Sequence, residues 1–129
     1  MAQFSQRSSE FGVYGARIVV IGNGAVPFLE AFQAHVGAGV ALYTDPSKET
    51  YRALRLVHGF GGSAGLGMIR SGLRAWKGGF RQGRTQGDPL QQGGVFVVNQ
   101  GGASVFEQRS ATAGDHPDVG DVLAAVAAL

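Results

Sequence analysis

Residues 16–21, Ala-Arg-Ile-Val-Val-Ile, form a β-branched run that closes on Gly22-Asn23-Gly24 and gives way at once to apolar residues at helical spacing. The run reads as a buried strand ending in a tight turn. Phe28, Leu29, Phe32 and Val36 then fall at i, i+1, i+4 and i+8, with Pro27 near the first turn and Gly37 or Gly39 as the stop, which predicts a helix. The pattern repeats. Val40-Ala41-Leu42-Tyr43 is a second short apolar run, and Thr44-Asp45-Pro46 places a capping side chain ahead of a proline at the first helical position. The helix expected from Pro46 to about Leu56 sets Tyr51, Leu54 and Arg55 near one face. Strand, helix, strand, helix in 16–56 favours two parallel strands joined by a right-handed crossover.

The second half reads differently. Five glycines in the nine residues 59–67 mark a flexible loop. Val95 to Val98 is a third strand, Asn99-Gln100-Gly101-Gly102 a turn, and about Ala103 to Gln108 a fourth strand, together an antiparallel hairpin. From Asp118 to Leu129 the residues Val119, Val122, Leu123 and Val126 line one helical face, and Asp118 or Asp121 serves its N-terminus. Glycine occurs 22 times in 129 residues, far above the usual share of about 7% and without the triplet period of collagen. At 44% hydrophobic and 16% charged, the chain still has the composition of a single folded domain spanning 1–129.

There is no cysteine. Disulfides, thiolate metal sites, iron–sulfur clusters and thiol mechanisms are thereby excluded for this chain. Met1 to Glu10 is polar and no apolar run approaches the roughly 18 residues of a membrane helix, so a cytoplasmic protein with no membrane span is expected. Charge is uneven along the chain. Residues 70–84 carry five basic and no acidic groups, whereas 85–129 carry one basic and five acidic.

The order of a βα-rich half, a hairpin and a closing helix resembles a thioredoxin-like domain. Gly15-Ala16-Arg17-Ile18-Val19-Val20-Ile21-Gly22, Tyr43-Thr44-Asp45-Pro46 with Tyr51-Arg52-Ala53-Leu54, Gln86-Gly87-Asp88-Pro89-Leu90-Gln91-Gln92-Gly93-Gly94 and Gly114-Asp115-His116-Pro117 occur in this order. Together they resemble the AhpC/TSA-type antioxidant family, in its peroxiredoxin-like 2 branch, over about residues 12–129. The resemblance implies an α/β fold with a mixed sheet flanked by helices. Members of that family begin with a strand and a Cys-containing turn, often Cys-x-x-Cys, opening a long helix. Here the chain is read as starting inside that helix, at about Ala2 to Phe11, without the first strand and its thiol. That strand would lie centrally, between 16–21 and 95–98, and its loss would leave edge groups on both.

Four features are candidates for chemistry. Gly22-Asn23-Gly24 resembles a phosphate cradle, but Pro27 replaces the third glycine of the dinucleotide fingerprint and no Lys-Ser/Thr follows. Ile69, Leu73, Trp76 and Phe80 are shadowed one residue later by Arg70, Arg74, Lys77 and Arg81. On a helix this gives an apolar stripe beside a basic one, suited to an anionic surface, or a helix packed on its own domain with its cations in water. His35, His58 and His116 share no metal-ligand spacing, so no metal is expected, and Asp115 before His116-Pro117 reads as a turn former. The resemblance makes 86–94 the lining of a former active site, with Asp88, Gln91 and Gln92 as polar contacts and Arg81 or Arg84 as a cation for an anionic or peroxide oxygen. Alternatively Pro89 and the paired glycines only shape the approach to the strand. The expected protein has no thiol peroxidase activity, no catalytic residue and no cofactor. Its alternative role is a module that binds a ligand or partner through 70–84 and 86–94, and a second rival is a non-thiol enzyme using Asp88, His116 or an arginine in a pocket. Its expected partners are a second copy in a two-fold dimer and an anionic ligand or surface, not nucleic acid.

Overall fold

The β-branched run and the apolar run after it become two parallel strands in a computed structural model that describes residues 2–59, 87–88, 90–112 and 114–129. Strands β1 (Ile18–Gly22) and β2 (Val40–Thr44) pair in register from Ile18↔Val40 to Gly22↔Thr44. Their crossover is a 3₁₀ turn, Val26–Phe28, that runs into helix α3 (Leu29–Val36), ended by Gly37 at φ 80°. A left-handed residue at that point stops the helix, and glycine adopts it without strain. Ahead of β1 lie α1 (Ala2–Gln6) and α2 (Ser8–Val13). The helical stretch expected at 2–11 is thus broken at Arg7, whose guanidinium pairs with Glu10 at 2.7 Å. Phe4 and Phe11, one on each piece, bring their ring centroids to 6.1 Å.

Helix α4 (Glu49–Ala53) is shorter than the sequence predicts. Its expected start at Pro46 fails because the Lys48 N–H closes a turn onto the Asp45 carbonyl at 3.1 Å and Lys48 takes a left-handed conformation, φ 60°. Its end comes early for a similar reason. Arg55 is also left-handed, φ 54°, while Leu56 N–H donates to the Tyr51 carbonyl and Arg55 N–H to that of Arg52, the paired bonds of a Schellman stop.

The hairpin forms as expected, with β3 (Gly94–Val98) antiparallel to β4 (Ser104–Arg109) and a register irregularity at Val97/Val98. Asn99 organises the turn: its N–H donates to Ala103 O and its side-chain oxygen accepts from Ala103 N, both at 2.9 Å. Helix α5 (Val119–Ala127) closes the chain, its first turn capped by Asp118, whose carboxylate accepts from Gly120 N at 2.7 Å. Val119, Val122, Leu123 and Val126 are its buried face, and with Phe11 and Val97 they make the core. Ile18 of β1 and Val95 of β3 pack against that same core. Among the described residues, however, no ladder joins them, and the sheet stands as two pairs, β1–β2 and β3–β4. The chain is therefore a mixed α/β, thioredoxin-like fold. No helix of the described residues is long and apolar enough to cross a membrane.

Candidate functional site

Asp88 is where separate parts of the chain meet. Lys48, on the turn before α4, places Nζ 2.7 Å from Asp88 Oδ2, and His58 places Nε2 2.8 Å from the same oxygen. The other carboxylate oxygen accepts from Leu90 N at 3.0 Å. Asn23, in the turn after β1, donates its amide to the Asp88 carbonyl at 3.2 Å. Lys48, then the His58 side chain, then the Leu90 amide hold the Asp88 carboxyl far below the usual carboxylate range. An ionised carboxylate only accepts, so the Nε2 of His58 carries the proton. The left-handed backbone at Lys48 is the local strain that comes with this reach.

The neighbouring backbone fixes the loop. His58 and Gln91 form an isolated antiparallel bridge, with Gly59 N donating to Leu90 O and Gln92 N to Val57 O, both at 2.9 Å. Gly87 sits at φ 96° directly against the Asn23 side chain, where a Cβ has no room. Beside the bridge is a cleft of about 240 Å³ bordered by Lys48, Arg52, Leu56, His58 and Gln91.

Of the residues singled out from sequence, the structure brings Asp88 and Gln91 to this region. Gln92 is buried, and its amide donates to Leu90 O at 3.5 Å, directed into the loop. Arg81 and Arg84, and the basic series Arg70, Arg74 and Lys77, lie outside the described residues. At Gly22-Asn23-Gly24 the carbonyls of Gly22 and Gly24 both accept from the Thr44 hydroxyl, and Gly22 O also accepts from Asp45 N. A 3₁₀ turn follows there, not a helix N-terminus. Asp115 does form a turn, its carboxylate accepting from Ala111 N at 3.0 Å. Among the described residues no three His, Cys, Asp or Glu side chains gather as a metal site. The sequence did not single out Lys48, and it offered His58 only as a metal ligand. They stand 40 and 30 residues from Asp88, and no spacing rule connects them.

The family described as AhpC/TSA antioxidant enzyme matches residues 3–112. The chain is 26% identical to "Thioredoxin-like protein AAED1, chloroplastic" of Arabidopsis thaliana, over 98% of this chain and 55% of that protein. It is 30% identical to "Peroxiredoxin-like 2C" of Homo sapiens, over 82% of this chain and 51% of that protein, and 31% identical to that of Bos taurus, over 82% and 50%. The chain spans about half the length of the curated relatives it matches. No solved structure matches it.

Proposed function

Because the chain belongs to the AhpC/TSA antioxidant enzyme family and contains no cysteine, we propose that it acts as a thioredoxin-like binding module and not as a thiol peroxidase. Peroxide reduction in that chemistry passes through a sulfenic acid, which no side chain of this chain can form. The observation that carries the binding reading is the Asp88 cluster. An ammonium, an imidazole and an amide from three separate segments converge on one loop beside a cleft, which is more organisation than a strand approach needs. The basic series Arg70, Arg74 and Lys77 extends the same reading to an anionic surface, on the strength of its spacing. A two-fold dimer belongs to it as well. The outer face of β1–β2 leaves Val19, Ile21 and Tyr43 exposed, an apolar patch suited to a second copy.

Peroxide consumption in the presence of a dithiol reductant tests the proposal directly. The expected rate equals that of a buffer blank. Saturable turnover that persists after metal removal overturns it.

A further inference from the structure

The cleft beside Asp88 has an uneven supply of hydrogen-bonding groups. Lys48 carries three donors and gives one to Asp88 at 2.7 Å. Arg52 carries five and gives one to the Ser47 carbonyl at 2.9 Å. Among the described residues these two cations therefore keep donors to spare at one concavity, while the Asp88 carboxylate is already engaged by Lys48, His58 and Leu90 N. Gln91 supplies the opposite polarity. Its amide nitrogen donates to Val57 O at 3.0 Å and to Gln92 O at 3.1 Å. Two carbonyl acceptors fix which end of the amide is nitrogen, and they leave its oxygen without a donor among the described residues. Leu56 adds an apolar wall. At about 240 Å³, the cleft is below the roughly 300–1,000 Å³ of pockets for drug-sized molecules, so its occupant is small.

We propose that the cleft formed by Lys48, Arg52, Leu56, His58 and Gln91 binds a small oxyanion that bears a hydroxyl, either a short hydroxy acid or a protonated phosphate. The inference rests on the binding reading above and names its ligand class. The oxyanion accepts from the guanidinium and ammonium groups, whose charge-assisted bonds are the strong ones. The hydroxyl donates to the Gln91 oxygen, and the small carbon body lies on Leu56.

Titration of the full chain with lactate, propionate and inorganic phosphate, following the nitrogen-bound proton signals of Arg52 and the Gln91 amide, tests it. Lactate is expected to saturate these signals and to bind several-fold tighter than propionate, which differs from it by the hydroxyl. Arg52→Gln should weaken lactate by about tenfold, with Arg17→Gln as a neutral control. Gln91→Met should leave lactate and propionate equal, and it decides the matter if the Arg52 variant does not fold. Tighter phosphate than lactate assigns the phosphoryl source, and the reverse the carboxylate source. Linear shifts of equal size at Arg17 and Arg52, or equal lactate and propionate affinities in the parent chain, overturn the proposal. A peroxide assay at the blank rate alongside either result sinks the cleft alone, whereas peroxide turnover sinks the binding reading whatever lactate does.

Discussion

Lys48 shows two demands falling on one residue. Its side chain reaches Asp88 across 40 positions, and its backbone sits at φ 60° to do so. A left-handed conformation costs a side-chain-bearing residue about 1–2 kcal/mol and costs glycine almost nothing. Lys48→Ala and Lys48→Gly both lose the ion pair, but only glycine is released from the strain. Urea unfolding should therefore rank Lys48→Gly above Lys48→Ala by about 1 kcal/mol, and the reverse order would show that the turn is not held left-handed in solution. Asp45, three residues earlier, makes a pH prediction. Its carboxylate accepts from the Ser47 hydroxyl at 2.5 Å and from Thr50 N at 2.7 Å, and these bonds lower it from the usual range to about 2. A depressed carboxylate contributes stability above its unfolded value of about 3.9, and that contribution is lost as pH falls toward the folded value. Thermal midpoints of the parent chain should fall between about pH 4 and pH 2, and Asp45→Asn should flatten part of that descent.

Helix α5 is the element that carries most of the core, and its sequence is the most transparent. A single face repeats Val119, Val122, Leu123, Val126, and all four are buried. Leu123→Ala should cost about 2–5 kcal/mol, against about 1 kcal/mol for Asp118→Ala, which removes only the cap. Equal losses in chemical denaturation would mean that the helix is held by its terminus and not by its face. The strands and hairpin were legible for the same reason as α5: period, β-branching and turn residues are local signals, and here they agree with the packing. Helix α4 was misjudged at both ends because Lys48 and Arg55 take conformations that sequence assigns to glycine. The candidate site divides the same way. Asp88 and Gln91 stood in a recognisable loop, while Lys48 and His58 are placed by a crossover and a two-residue bridge that no local pattern encodes.

At the scale of the molecule, β1 and β3 feed one core through Ile18 and Val95 while pairing separately with β2 and β4. Edges left unpaired among the described residues, together with the exposed Val19, Ile21 and Tyr43, favour association. Sedimentation at micromolar concentration should report twice the chain mass, and a cooperatively unfolding species of one chain mass would contradict it. The bridge at His58 and Gln91 has a separate bearing on how this fold can vary. Val57 and Gln92 are hydrogen-bonded, as are Gly59 and Leu90, so the chain departs from and returns to nearly the same point. Lengthening an excursion whose ends already touch adds closure entropy only as the logarithm of its length. The bridge thus works as a splice point: a change in the number of residues between its two sides leaves its ends together and does not ask the strands to move.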